Sequence, residues 1–474
     1  MECKPWLKKW PAGVPQTIEY PKVPLHELLR KAAEKHPNHT AIVFLGKRIT
    51  FKELDVLTDK FATALNDMGV KKGDRVAVFL PNIPQFVIGY YGNLKVGAIV
   101  TAVSPLFKER ELEFQLNNSE AETLICLDLL YPIVKAVREK TKVKNVVVAS
   151  IKEYMPSLKA TLGSLLGKVP SRKVPREVGV HFFKEVVNRY AAQPPTVKID
   201  PKRDLAALQY TGGTTGLPKG AMLTHFNLVS NAVACAAWLH GKEPPEAQDV
   251  FLTVLPLFHI YGMTTAMNGP IYLAGTMVML PVPDPVEILK AIQEYRVTVY
   301  CGVPTLYSIL IARPDVGSYD LRSVKFCISG SAPLPPEVQK RFMELTGGVL
   351  VEGYGLTESS PVTHCNPLDP TLKTVKIGSI GLPWPDTESR IVDVETGKKR
   401  RAPGEVGELI IKGPQIMKGY WKMPEETKEV LRRGWLYTGD IGKMDEDGYF
   451  HITDRKKDLI CLLYTSDAAD ERIV

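Results

Sequence analysis

Eleven residues from Tyr210 to Gly220, YTGGTTGLPKG, constrain this chain more than any other stretch. Thr211, Gly212, Gly213, Thr214, Thr215 and Gly216 form an unbroken threonine-glycine run, and Lys219 stands between Pro218 and Gly220. Glycine reaches backbone angles that other residues avoid, so main-chain N–H groups can crowd an anion; threonine hydroxyls and a lysine add donors. The preceding Leu205 to Tyr210 reads as a buried strand, which places the loop at a strand end, where open α/β sheets bind ligands. It is not a Walker A loop, because that motif runs Gly-Lys-Ser/Thr straight into a helix. Ala221 to Leu223 reads as a second short strand, and Thr224 to Asn227 as the cap of a helix beginning near Leu228. The bland alternative is a glycine-rich hairpin.

At 474 residues the chain exceeds one ordinary core, so two to four domains or subdomains are expected. Its 45% hydrophobic and 24% charged content is that of a soluble globular protein. A net charge of +8 suits an anionic ligand or an anionic membrane surface without requiring either. No nucleic-acid partner is expected. The seven cysteines are scattered and include no CxxC, which reads as reduced thiols in a cytoplasmic protein, with neither disulfide nor zinc. Met1 to Trp10 carries Glu2, Lys4, Lys8 and Lys9 and no apolar core, against a secretory signal. Residues 250–283 contain no Asp, Glu, Lys or Arg, but Pro256, Gly262, Asn268, Gly269, Pro270 and Gly275 break them into pieces. A buried core is expected there rather than a membrane span.

From His36 onward, strand and helix patterns alternate. Ala41 to Leu45 and Lys47 to Thr50 read as a hairpin, and Thr50 with Glu53 makes a capping box before the helical repeat Leu54, Leu57, Phe61, Leu65, Met68. The spacing then predicts strands at 76–80, 98–103, 123–127 and 146–149 with helices between, hence a parallel doubly wound sheet. Residues 151–204, rich in proline, lysine and arginine, read as an irregular connection with one or two helices; its basic face is either a solvated surface or a contact for phospholipid.

Alternation resumes at 251–255, 277–280, 297–300, 324–329 and 350–352, with loops at 256–262, 302–305, 330–333 and 353–359 expected on one sheet edge together with the 210–220 loop. Past Ser360, short strands at 377–381, 388–393, 407–412, 435–438 and 449–453 predict a small antiparallel barrel or sheet. The expected fold is α/β, with two doubly wound sheet subdomains and a small β-barrel subdomain. Its expected divisions are 1–204, 205–360, 361–454 and a remnant at 455–474.

The 210–220 loop joins LPLFHIYG (255–262), SGSAPL (329–334), VEGYGLTES (351–359), GELIIKGPQIMKGYW (407–421), WLYTGD (435–440) and DRKKDLI (454–460). This ordered set resembles the adenylate-forming (AMP-binding) superfamily of acyl-CoA synthetases, luciferases and peptide-synthetase adenylation domains. KPWLKKWPAGVP, IEYPKVPLHELL and KIGSIGLPWPDTESRIVD (376–393) look most like prokaryotic long-chain fatty-acyl-CoA ligases. The resemblance implies that a carboxylate attacks the α-phosphate of ATP, that pyrophosphate leaves, and that the thiol of coenzyme A then attacks the acyl-adenylate. No protein nucleophile is needed; positioning and positive charge carry the catalysis.

On that resemblance Thr211, Gly212, Gly213, Thr214, Thr215, Gly216 and Lys219 hold the β- and γ-phosphates. Gly330, Ser331, Ala332, Glu352, Gly353, Tyr354 and Gly355 frame adenine; Thr357 touches the α-phosphate, and Glu358 ligates Mg²⁺, a hard cation suited to carboxylate and phosphate oxygen. Thr214, Lys219, Thr357 and Glu358 are the catalytic set. Asp440 accepts the ribose hydroxyls with Arg455 assisting, and His259, Ile260, Gly262, Met263 and Val303 border the acyl pocket. His225 is read as a structural cap residue. A homodimer, and a peripheral station at the inner face of the membrane for a cytoplasmic enzyme, are left open.

The family continues past its DRKKDLI motif, where Lys457 is the hinge, into a mobile domain of roughly a hundred residues. Here CLLYTSDAADERIV follows Ile460 and contains no lysine. The expectation is a truncated or chimeric end, with severely reduced activity of the chain as written. Rival readings are an enzyme adenylating medium-chain or other carboxylic acids, a peptide-synthetase-like adenylation domain, and a non-catalytic nucleotide- or acyl-binding module.

Overall fold

The computed structural model describes residues 4–156, 170–211, 218–242 and 248–456. Local chemistry sets the first elements as the sequence predicts. Strands Thr40–Phe44 and Lys47–Thr50 form the hairpin, and Thr50 caps helix Phe51–Asp67 by accepting the Glu53 N–H at 3.2 Å while Glu53 Oε2 accepts the Thr50 N–H at 2.8 Å. Thr224 makes the same reciprocal cap with Asn227 at helix His225–His240, which begins at His225 rather than near Leu228.

One sheet has seven strands, in spatial order Val180–Phe182, Asn145–Ala149, Thr123–Leu127, Arg75–Phe79, Ile99–Ala102, Leu205–Tyr210 and Gly220–Thr224. All its pairings are parallel except the last, the hairpin that carries the glycine-rich loop. The second sheet has nine strands. From one edge they are Leu382–Pro383, Val362–Cys365, Val349–Gly355, Phe326–Ser329, Val299–Gly302, Val250–Thr253, Thr276–Met279, Thr40–Phe44 and Lys47–Thr50. A third, antiparallel sheet of five strands holds Glu388–Val392, Gly407–Lys412, Trp435–Met444, Leu431–Arg432 and Phe450–Arg455.

This topology corrects the expected divisions. The sheets do not part at residue 204, because Leu205–Tyr210 and Gly220–Thr224 extend the first sheet while the hairpin at 40–50 joins the second. Nor do they part at 360, since Val362–Cys365 and Leu382–Pro383 pair onto the second sheet's edge. The glycine-rich hairpin and the loops after residues 255, 302, 329 and 355 therefore belong to different sheets and meet across a gap. The physical reason is edge satisfaction: Thr40–Phe44 and Leu205–Tyr210 find hydrogen-bond partners on strands distant in sequence, Thr276–Met279 and Ile99–Ala102, while past 360 the chain simply continues pairing onto the edge strand it has just left. Of the expected strand 377–381 only an isolated bridge from Gly381 to Phe450 forms, because Gly378 takes a positive φ of 76° in a turn. The segment 151–204 supplies an edge strand, Val180–Phe182, and helix Phe183–Arg189.

Helix Pro84–Lys95 is buried over its whole length, and one apolar core gathers residues of both large sheets around it, including Val76, Val100, Ile42 and Met277. The charge-free stretch 250–283 is cut into two strands and three short helical pieces inside this core. Among the described residues no helix is long and apolar enough to cross a membrane. At the end of the buried helix, Lys95 Nζ lies 2.6 Å from both Asp55 Oδ1 and Asp59 Oδ1 and donates at 3.1 Å to the Asp55 carbonyl, while Arg30 reaches both carboxylates from the surface side.

Removing one partner from such a cluster strands the opposite charge. Lys95→Met should lower the unfolding free energy by about 3–5 kcal/mol, measured in urea at neutral pH, with Arg30 holding the loss toward the lower figure. His225 is buried, its Nδ1 accepts the Leu25 N–H at 3.0 Å, and burial followed by the charge of His26 pushes its pKa down to about 3. The folded state keeps it neutral while the unfolded state protonates it below its ordinary value, so its contribution is present at neutral pH and is lost as pH falls from about 6.5 toward about 3. His225→Gln, which retains an acceptor for Leu25, should remove about 1.4 kcal/mol per pH unit of acid sensitivity across that window. Denaturant melts between pH 6 and 4 check the slope.

Candidate active site

A crevice of about 980 Å³ opens where the three sheets meet, and it draws its lining from all of them. From the first sheet come Thr211 and Lys219, the two described ends of the glycine-rich loop. They pair across it: the Thr211 N–H donates to the Lys219 carbonyl at 3.0 Å, and the Lys219 N–H donates to Thr211 Oγ1 at 3.3 Å. Gly212, Gly213, Thr214, Thr215 and Gly216 lie outside the described residues. So does Lys457.

The second sheet supplies His259, Ile260, Gly330, Ser331, Gly353, Tyr354, Gly355, Thr357 and Glu358. His259 caps the short helix Ile260–Met263, its Nδ1 accepting the Tyr261 N–H at 3.2 Å, and desolvation holds its pKa below the usual histidine value. Gly330 is needed for contact, because a Cβ there would come within 3.1 Å of the Tyr261 ring. Gly355 packs so tightly on the Pro361 carbonyl that a Cβ would lie 2.2 Å from its oxygen. The Tyr261 hydroxyl donates to the Ile328 carbonyl at 2.9 Å, which fixes an apolar wall of Ile260, Tyr261, Ile328 and Val362.

The third sheet supplies Thr438, Gly439 and Arg455. Asp440 lies just behind this rim, 2% exposed, taking a short hydrogen bond from the Tyr354 hydroxyl and an ion pair from Arg455 Nε at 3.0 Å. Burial raises the Asp440 pKa, and the hydroxyl and the guanidinium oppose that rise. Lys456 Nζ pairs with buried Glu408 at 2.8 Å beside it.

Five predicted residues fall elsewhere. Met263 is fully buried in the main core, and Gly262 is there because a Cβ would meet the Pro256 carbonyl at 2.4 Å. Val303 packs behind the wall with Leu255, Tyr261, Cys301 and Ile328. These three face packing, not the crevice: Gly262 and Met263 because the chain turns inward at the helix after His259, and Val303 because it precedes helix Pro304–Ile311 on the far side of the wall. Glu352 accepts the Leu334 N–H at 3.3 Å and burial raises its pKa; Ala332 is exposed in the turn beside it, and neither lines the crevice.

Tyr420 is the residue that motif reading passed over. Its hydroxyl donates to Glu358 Oε1 at 2.6 Å, and Lys219 Nζ stands 5.1 Å from its ring centre. The available signal was two aromatics directly after Gly419 and between two lysines. Glu358 Oε2 has no hydrogen bond to any described residue, and no described group of three or more His, Cys, Asp and Glu could hold a metal. A divalent cation here would therefore share Glu358 with phosphate oxygens, the arrangement Mg²⁺ favours.

The AMP-binding enzyme family matches residues 29–421. A long-chain-fatty-acid–CoA ligase of Bacillus subtilis is 48% identical over 466 residues, covering 96% of this chain and 81% of its own length. Among solved structures, a long-chain-fatty-acid–CoA ligase from Archaeoglobus fulgidus superposes with a TM-score of 0.79 at 29% identity, covering 94% of this chain and 86% of that one. The inhibitor-bound N-terminal domain of FACL13 from Mycobacterium tuberculosis gives 0.77 at 27% identity, covering 91% of this chain and 99% of that one.

Tyr354→Phe deletes the hydroxyl that solvates a buried carboxylate. It should cost about 1.5–3 kcal/mol of stability, the range for a hydrogen bond to a charged group, read from guanidinium melts at neutral pH.

Proposed function

Because this chain belongs to the AMP-binding enzyme family, we propose that it activates a long-chain fatty acid with ATP and passes the acyl group to coenzyme A. It is an acid–thiol ligase. One observation carries the reading: a single crevice offers Lys219 and Thr211, the Glu358 carboxylate, and the apolar wall of Ile260, Tyr261 and Ile328 to one ligand.

The chemistry follows from what these groups can do. The fatty-acid carboxylate attacks the α-phosphorus, the bond from that phosphorus to the bridging oxygen breaks, and pyrophosphate leaves with the electron pair. In the second half-reaction the coenzyme A sulfur attacks the acyl carbonyl and AMP departs, its phosphate taking the bond electrons. Two anions must be brought in line, so the chain's work is to place them and to offset their charge. Lys219 and Thr211, with Gly212, Gly213, Thr214, Thr215 and Gly216 of the same loop, hold the β- and γ-phosphates. Thr357 donates to the α-phosphate. Asp440, held by the Tyr354 hydroxyl and Arg455, accepts the ribose hydroxyls, and Gly330, Ser331, Gly353 and Tyr354 flank the base. Glu358, together with the phosphates, would hold Mg²⁺, and when bound that cation would supply charge neutralisation at the leaving group. His259 stands at the entrance to the apolar wall and orients the substrate carboxylate. The enzyme works in the cytoplasm, where ATP and coenzyme A are at hand.

Calorimetry with ATP and with non-hydrolysable acyl-adenylate analogues from acetyl to oleoyl tests this. Lys219→Ala should weaken ATP by about 10- to 100-fold, the equivalent of 1.5–3 kcal/mol, and leave the acyl-adenylate analogues, which lack β- and γ-phosphates, nearly unchanged. Asp440→Asn should weaken both. Affinity should rise with acyl length; an acetyl analogue that binds as tightly as the oleoyl one would overturn the long-chain reading.

A further inference from the structure

Residues 417–421 belong to the stretch leaving the third sheet, yet their backbone is hydrogen-bonded to the other two. The Met417 N–H donates to the Glu358 carbonyl at 2.8 Å. The Lys418 N–H donates to the Met222 carbonyl at 3.0 Å, the Met222 N–H to the Gly419 carbonyl at 2.9 Å, and the Trp421 N–H to the Gly220 carbonyl at 2.8 Å. The segment thus lies along the edge of strand Gly220–Thr224, with an antiparallel bridge from Ala221 to Tyr420. Gly419 makes the path feasible, since its φ of 142° and a neighbour 2.6 Å from any added Cβ exclude a side chain. Successive side chains then go opposite ways. Trp421 packs outward, its indole N–H donating to the Asn118 carbonyl at 3.1 Å, and Tyr420 lines the crevice.

There the phenol stands between opposite charges. Its hydroxyl holds Glu358 Oε1 at 2.6 Å and its ring face takes Lys219 Nζ at 5.1 Å, while no ion pair joins Lys219 to Glu358. A direct pair would cancel both charges and occupy both groups. A hydroxyl donor on one oxygen and an aromatic face for the ammonium keep each charge partly solvated and aimed. We propose that Tyr420 is a positioning residue that keeps Glu358 and Lys219 apart and oriented, leaving Glu358 Oε2 for a divalent cation and the ammonium for phosphate. This rests on the assignment of Glu358 as the metal-side carboxylate given above.

The test uses Tyr420→Phe, Tyr420→Leu, Glu358→Gln and the double variant Tyr420→Phe/Glu358→Gln. ATP affinity is measured calorimetrically in EDTA, and Mn²⁺ affinity of the protein–ATP complex by electron paramagnetic resonance of free Mn²⁺. Tyr420→Phe keeps the ring, so metal-free ATP affinity should hold while Mn²⁺ binding weakens by about tenfold or more, as for other partners that orient a metal ligand. Tyr420→Leu should weaken both. In the double variant the phenylalanine should add no loss of Mn²⁺ affinity to that of Glu358→Gln, because the hydroxyl acts only through that carboxylate; a merely structural lesion would add. If Tyr420→Phe binds Mn²⁺ as the parent does while Glu358→Gln does not, the positioning role is overturned and the metal assignment stands. If Glu358→Gln also binds Mn²⁺ as the parent does, the metal assignment falls and the proposal with it.

Discussion

Asn82, 4% exposed, spends its whole amide on the segment that ends a strand of the other sheet. Its Nδ2 donates to the Thr253 and Leu255 carbonyls at 3.2 and 2.9 Å, and its Oδ1 accepts the Leu257 N–H at 2.9 Å. Gln209, from the strand that leads into the glycine-rich loop, adds a bond to the Phe258 carbonyl at 2.7 Å. Asn227 and Asn231 do the same for the third sheet and for Val362. An apolar interface tolerates sliding, whereas a buried amide that loses its partner costs about 1–3 kcal/mol, so these contacts fix how the sheets face each other. The crevice, and the His259 loop in particular, inherits its geometry from them.

One transferred hairpin reinforces the same constraint. The strands of the first sheet all lie between residues 75 and 224, whereas the second sheet is completed only by the hairpin at 40–50, from the far side of that whole stretch. Buried parallel strands need partners on both sides, and the core around helix Pro84–Lys95 is common to both sheets.

The local rules were legible in the residues. Thr50 with Glu53, Thr224 with Asn227, and the runs at 123–127 and 205–210 announce caps and buried strands through hydrogen-bond chemistry and period alone. The motif residues of the crevice could be collected because each stands in a short, ordered signature. Sheet membership was not legible, because Leu205–Tyr210 reads the same whether it joins one parallel sheet or the other; the decision lies in which edge is free. Gly262 and Met263 look like pocket residues in sequence and are found in packing, since a turn of roughly 100° per helical residue redirects neighbours of His259 into the core, while Val303 reaches the same packing layer from the start of helix Pro304–Ile311. Tyr420 escaped notice because its meaning depends on residues some 60 and 200 positions away.

The division of labour in the crevice follows from these origins. The polar groups Thr211, Lys219, Thr438 and Arg455 sit on a hairpin and on the third sheet's rim, at the crevice surface. The apolar wall comes from the loop after Leu255 and from Ile328 and Val362, next to the core that packs behind it. On the proposed reading, a ligand with a highly charged end and a hydrocarbon end would have its two halves served by different parts of this crevice, and its reacting centre would fall between them, near His259, Thr357 and Glu358. Burial makes positive potential effective there and hydration would weaken it. The amides that fix the sheets against each other are therefore, at one remove, what fixes the crevice's polar groups against its apolar wall.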